Sequence, residues 1–443
     1  MRVGVIGTGH VGLITCVSLA ELGHEVIGTD ADQEKIELLQ AGKAPFFEPG
    51  LEEMLRKGMS EGRLRFTSEL PEAAVGADVV FICVGTPPRA SGEANLFAIE
   101  RAARQFARSA TGPALVVEKS TVPAGTAGRI SRVLRLERPD LAGELEVVSN
   151  PEFLREGSAL DDSLRPDRIL VGAGSPRAFH IMRRLYGPLV ADGCRLIETD
   201  IPTAELAKHA CNAFLALKVS YVNALARLCE RAGADVVTVA DVMGADPRIG
   251  RAFLDAGLGF GGYCFPKDLQ AFERLSSHLG YEFGLLREVA KINEEAVDLA
   301  VEKVREALWN LEDKRVALLG LSFKPGTDDT RFSPSLALAR RLLAGGAHVV
   351  GYDPQAAANA KEELPELEIG LDPYEAVAGS HCVVICTGWP EFRSLDLNRL
   401  RALMAFPVVV DGRNLFDANE MRAAGLAYYP TGRPAAESHG LVH

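Results

Sequence analysis

The chain has 443 residues, is 47% hydrophobic and 24% charged, and carries a formal net charge of −12 at pH 7. That length exceeds one ordinary core and calls for two or three globular domains; the acidic balance, with no sustained basic run, argues against a nucleic-acid binder. Eight scattered cysteines form no CxxC pair and no cysteine/histidine cluster at zinc spacing, so reduced thiols and no metal are expected. No apolar run approaches ~20 residues and the N-terminus enters a strand pattern at once, so neither a membrane span nor a secretory signal is expected. The reading is a cytoplasmic protein.

In chain order, residues 2–6 read as a buried strand leading into Gly7-Thr-Gly9-His10-Val11-Gly12 and an apolar helix to about Leu22. Residues 25–29 give a second strand ending at Asp30. Strand, glycine-rich turn, helix, strand and acid together are the context a dinucleotide fingerprint requires. Gly7 permits the tight turn, Gly9 a close approach to a pyrophosphate, and Gly12 helix–strand packing. Asp30 would accept from a ribose diol and repel a 2′-phosphate, which favours NAD over NADP. Further strands are expected at 78–84, 114–118 and 145–149, with intervening helices, hence a parallel α/β domain. Val84-Gly85-Thr86-Pro87 and Lys119-Ser120-Thr121 close strands at the edge where they could touch the cofactor.

From about Thr203 to Arg231 the chain lacks Gly and Pro and predicts one long helix, a spine and a potential oligomer contact. Strands restart at 315–320, 348–352, 381–387 and 407–411, with a helix at 334–344. The fold class is therefore α/β: two Rossmann-like doubly wound domains joined by a long central helix. The divisions are 1–198 for the cofactor, 199–300 for the central helical part and 301–443 for a second ligand. The tail from Thr431 is polar and is expected to be disordered.

Gly259-Phe260-Gly261-Gly262-Tyr263-Cys264-Phe265-Pro266-Lys267-Asp268 sets a lone cysteine between a glycine-rich turn and a helix start. Pro266 suits a first helical turn, and Cys264 near the positive helix end would favour thiolate. The same spacing also describes a buried cysteine beside a structural turn. Lys208 and Asn212 share a helix face and read either as an oxyanion clamp or as a solvated face. Asn150-Pro-Glu152-Phe-Leu-Arg155-Glu156-Gly157 offers two carboxylates, equally readable as charges at a helix N-terminus.

Taken in order with Phe47-Glu-Pro-Gly-Leu51, Val84–Pro87, Ser120-Thr-Val-Pro123 and Phe323-Lys324, these segments resemble the UDP-glucose/GDP-mannose dehydrogenase family over nearly the whole chain, to about Arg413. The resemblance implies oxidation of a sugar alcohol to an acid with two NAD⁺, through a thiohemiacetal and a thioester on Cys264. It implies Lys208 and Asn212 as stabilisers of the reacting oxygen, Asp268 and Thr121 as holders of a water, and Glu152 as the hydrolytic base. It adds His10, Val11, Lys35, Gly85, Thr86, Thr121, Glu156 and Lys267 to the cofactor set. For the substrate it implies Glu152, Phe153, Leu154, Arg155, Lys208, Asn212, Phe253, Phe260, Gly261, Phe323, Lys324 and Arg413, and Arg248 reaching a neighbouring subunit's sugar. A homodimer or higher homo-oligomer follows. Arg331 reads as structural. The glucose-type loop, with Phe265 after the cysteine, favours UDP-glucose; GDP-mannose and acetamido sugars are the alternatives. A non-catalytic nucleotide-sugar binder would have no reason to keep Cys264, Lys208, Asn212 and Asp268 together. Tyr263 departs from the serine commoner in the family.

Overall fold

Arg2–Ile6 (β1) alternates its side chains between two covered faces, so from Val3 to Ile6 it is buried at every residue rather than every second one. The computed structural model describes residues 1–87, 89 and 92–435. Its chain contacts divide it into two units: Met1–Cys211 with Gln270–Tyr281, and Asn212–Leu269 with Glu282–His443.

In the first unit β1 is followed by Glu25–Thr29 (β2), Leu64–Thr67 (β3), Val79–Ile82 (β4), Ala114–Glu118 (β5), Leu145–Ser149 (β6), Arg168–Gly172 (β7) and Arg195–Thr199 (β8). The sheet order is β3-β2-β1-β4-β5-β6-β7-β8. The first six run parallel in doubly wound order, which places turns carrying ligand residues at their C-terminal ends. One sheet face packs Val3, Val5, Leu13, Val17 and Phe81, the other Ile6, Val80, Ile82, Phe106 and Val116. The expected wholly parallel sheet is corrected at one edge: β7 meets β6 antiparallel through Ser149 and Gly172, and β8 follows β7.

The second unit holds Arg315–Leu319 (β9), His348–Tyr352 (β10), Glu368–Ile369 (β11), Cys382–Ile385 (β12), Val408–Asp411 (β13) and Ala427–Pro430 (β14). Their order, β11-β10-β9-β12-β13-β14, repeats the doubly wound pattern, all parallel. Two long elements carry chemistry. One helix runs Ile201–Ala232, 32 residues, and so spans about 48 Å. Another begins on the cysteine itself, Cys264–His278, with Pro266 in its first turn as the sequence suggests.

The tail is also corrected. Thr431 N–H donates to Asp411 O, Gly432 N–H to Glu230 Oε1, and Gly432 O accepts from Val236 N–H. Arg433 pairs with Asp235 at 3.2 Å. Residues 431–433 are thus tied down by backbone bonds that a polar composition does not reveal. The rest of that tail, residues 436–443, lies outside the described residues. Among the described residues no helix is long and apolar enough to cross a membrane.

Candidate active site

The first glycine turn forms as its residues demand. Gly7 has φ +94°, and a Cβ on Gly12 would run into the Gly7 carbonyl. Gly9 caps helix His10–Glu21 and has open space where a side chain would stand. Asp30 closes the turn: its Oδ2 accepts from Thr8 N–H at 2.8 Å, Thr8 Oγ1 at 3.1 Å and Lys35 Nζ at 3.1 Å. Burial pushes this carboxyl up, but the Thr8 and Asp32 amides and Lys35 outweigh it and hold it below its usual range. A cavity of about 620 Å³ opens here, lined by Gly7, Gly9, Asp30, Lys35, Val84 and Gly85. Phe97, Arg101 and Gln105, which the sequence did not single out, line it too. His10 and Val11 do not. His10 stacks on Phe46 at 4.3 Å and faces Glu48 at 3.4 Å; Val11 accepts from Thr15 Oγ1 through its carbonyl. Thr86 is buried and donates to Thr121 O at 3.2 Å, so those two turns are joined.

After β6 the chain turns at Asn150-Pro151 and delivers Glu152 into the interior. Glu152 Oε2 accepts from Leu154 N–H at 2.6 Å, and Oε1 lies 3.1 Å from Lys208 Nζ. Both side chains are buried, so Lys208 does not belong to a solvated face. Phe153 lies between two cations, Arg168 at 3.9 Å and Lys208 at 5.2 Å from its ring centroid. Arg155 turns outward and grips Asp162, whose bond raises the guanidinium's proton affinity. Glu48 sits deep and its two oxygens accept from Gly157 and Ala159 N–H, each at 2.7 Å, fixing the loop around Glu156. Its part is visible in sequence only as a Glu-Pro-Gly motif, because its partners lie over 100 residues on.

In the second unit Asp268 is held from both sides. Oδ2 accepts from Asn212 Nδ2 and Oδ1 from Lys267 Nζ, each at 2.6 Å, and all three residues are buried. Lys267, expected at the cofactor, is spent on this pair. Cys264 is half-buried one helical turn before Asp268. The loop ahead of it has no room for side chains: a Cβ on Gly261 or Gly262 would press into Phe323, and Gly262 has φ +76°. Asn293, which carries no sequence signal, clamps Phe260 with bonds of 2.7 and 3.0 Å. Phe253 holds φ +65°, a strained value for a bulky residue, and packs 6.1 Å from Phe265. Tyr263 lies between the cations of Arg331 at 4.7 Å and Lys267 at 5.6 Å. Arg331 itself chelates Asp329, as a structural residue would. Arg248 is exposed and paired with Asp246.

A second cavity of about 320 Å³ is lined by Lys324, Arg413, Arg251, Arg393, Leu254 and Leu415. Arg413 donates from Nε to Cys386 O at 2.7 Å, while its buried Nη2 has no hydrogen-bond partner among the described residues. Burial lowers the proton affinity of this guanidinium. Such a group, beside Lys324, is suited to a diphosphate. Arg251 and Arg393 were missed because scattered arginines carry no motif.

Residues 1–190 match the NAD binding domain of the UDP-glucose/GDP-mannose dehydrogenase family, 202–295 its central domain and 317–418 its UDP binding domain. The UDP-glucose 6-dehydrogenase YwqF of Bacillus subtilis is 42% identical, with each chain covered in full. The UDP-glucose 6-dehydrogenase of Rhizobium meliloti is 43% identical over 98% of this chain and 100% of its own. Among solved structures, a UDP-glucose dehydrogenase from Pyrobaculum islandicum is 41% identical, with a TM-score of 0.90 and 98% of both chains covered. The Gly9 opening, the Asp30 acceptor and the cavity between them fit NAD. A fingerprint, a buried Glu–Lys pair and a cysteine that starts a helix thus stand in one chain that three domain models match in succession between residues 1 and 418: it belongs to the UDP-glucose/GDP-mannose dehydrogenase family.

Proposed function

We propose that the chain oxidises UDP-glucose to UDP-glucuronate by two successive two-electron steps, with residues 1–198 holding NAD, 199–300 the cysteine and 301–443 the nucleotide. The observation that carries this reading is Cys264 at the start of its helix, with Asp268 fixed one turn on between Asn212 and Lys267. NAD, when bound, accepts a hydride in each oxidation. The C6 alcohol loses a proton and a hydride to become an aldehyde. The Cys264 thiolate adds to the aldehyde carbon, giving a thiohemiacetal. Loss of a second hydride and of the hydroxyl proton leaves a thioester. Water then attacks, the C–S bond breaks, and the acid leaves with the thiol restored.

Lys208 supports the oxygen that carries negative charge, with Asn212 assisting. Glu152 takes the proton of the hydrolytic water, and Asp268 with Thr121 orders a water for proton transfer. Lys324 and Arg413 receive the diphosphate. Phe214, Tyr221 and Leu228 recur every seven residues on the long helix and stand 61%, 50% and 61% exposed; this stripe is the proposed homodimer contact, and light scattering of the purified chain tests it.

The test is NADH counted per sugar over UDP-glucose, GDP-mannose and acetamido nucleotide sugars. Two NADH per UDP-glucose are expected, and none after Cys264→Ala. Turnover confined to GDP-mannose reverses the substrate, and wild-type NADH production by Cys264→Ala removes the covalent route.

A further inference from the structure

Behind the Asn150–Gly157 loop lies a polar cluster for which the chemistry above has no task. Lys119 follows β5 directly, where the sequence placed it at the cofactor, yet it does not line the dinucleotide cavity. Its Nζ donates instead to Asn150 Oδ1 at 3.0 Å and lies 5.9 Å from the rings of both Phe81 and Tyr186. The Tyr186 hydroxyl donates to that same Asn150 oxygen at 2.6 Å. Asn150 Nδ2 donates to Leu170 O at 2.7 Å and its backbone N–H to Glu118 O at 2.9 Å. Asn150 is therefore fixed from four directions, and one proline separates it from Glu152.

The groups facing Lys119 come from every surrounding element: Cys83 after β4, Glu118 on β5, Glu152 on the loop, Tyr186, and Lys208 on the long helix. Burial pushes the Cys83 thiol up to about 12 and raises the Tyr186 phenol as well, so both are neutral near pH 7. What remains is two lysines and two glutamates. In such a set the loss of one cation leaves an excess of buried negative charge, which makes a carboxylate there more basic.

We propose that Lys119 is a positioning residue for Glu152: through Asn150 it fixes the Asn150-Pro151-Glu152 turn, and its ammonium, with that of Lys208, offsets the negative charge of Glu118 and Glu152. The proposal rests on the reading above, in which Glu152 is the base. It assigns to the lysine of the Lys119-Ser120-Thr121 turn a task distinct from cofactor contact. It also explains why an ammonium is held where burial pulls its pKa down to about 8.

The experiment compares wild type with Lys119→Met, which keeps the side-chain length without the charge, and with Tyr186→Phe, which removes a donor to Asn150 but no charge. For Lys119→Met the expected outcome is a fall in kcat of about tenfold to a hundredfold, with KM for the nucleotide sugar within about twofold. The acid limb of the kcat profile should move up by about one pH unit. Tyr186→Phe should lower kcat and leave the limb where it is. The carboxylate band of Glu152, isolated by infrared difference against Glu152→Gln, should titrate at higher pH in Lys119→Met, with no substrate or cofactor present. Should the methionine variant fail to fold, Lys119→Gln, which retains a donor to Asn150, is read in the same way. An unmoved acid limb together with an unmoved carboxylate band overturns the proposal. A wild type that makes no NADH would sink the functional reading, while the infrared titration would still decide whether Lys119 governs Glu152.

Discussion

Asp268 shows how much one carboxylate can be asked to do in a closed space. Both its oxygens are taken, one by an amide and one by an ammonium, and neither side is open to bulk water. Breaking a buried pair costs more than the pair itself contributes, because the remaining charge stays desolvated. Asp268→Asn is therefore expected to lower stability by about 3 kcal/mol in urea unfolding, and to cut kcat through the lost proton acceptor. An unchanged urea midpoint would mean that Lys267 finds another partner. Lys119 acts on stability through pH. Its folded-state pKa is depressed to about 8 from the ordinary lysine value of 10.5, so between those limits the unfolded chain binds more protons than the folded one. Stability then gains from this group as pH rises through that window. The gain should vanish in Lys119→Met, and pH-resolved denaturation reads it directly.

At the level of elements, the glycine turn separates two kinds of demand. Gly12 faces a backbone carbonyl and Gly9 faces nothing within 4 Å. Gly12→Ala is expected to destabilise the domain, while Gly9→Ala should keep the melting temperature and lose NAD affinity, as calorimetric titration would show. Equal losses of stability in both would argue that the opening at Gly9 serves packing. The same contrast explains what the sequence disclosed. β1, β5, β6 and β13 were legible because helices cover both faces and apolar residues dominate each run. Leu64–Thr67, Arg168–Gly172, Arg195–Thr199, Glu368–Ile369 and Ala427–Pro430 were not. Arg195–Thr199 alternates poorly and stands half-exposed at a sheet edge, and Glu368–Ile369 has two residues. Cys264 and Asp268 stood out because their loop motif is local, whereas Lys208, Asn212 and Glu152 took their expected roles only from the ordered set of segments along the whole chain. Glu48, Asn293 and the Lys119–Asn150–Tyr186 cluster were not, since their meaning lies in contacts far along the chain.

The whole molecule is acidic, with a formal net charge of −12, yet it collects Lys324, Arg251, Arg393 and Arg413 around one cavity. Long-range attraction for an anion is therefore weak, and affinity must come from contact. UDP alone is expected to raise the melting temperature, since a ligand at 100 times its Kd adds about 2.7 kcal/mol. Arg413→Met should abolish most of that rise in a thermal-shift measurement; a full rise in the variant would place the diphosphate elsewhere. The buried Nη2 of Arg413, without a hydrogen-bond partner among the described residues, has a wider consequence. A half-buried guanidinium at a cavity wall is partly desolvated in the unliganded fold, and an anion that fits the cavity relieves that cost. The pool of nucleotide then enters the folding equilibrium itself, and starvation for it would shorten the protein's proteolytic half-life before any change in synthesis.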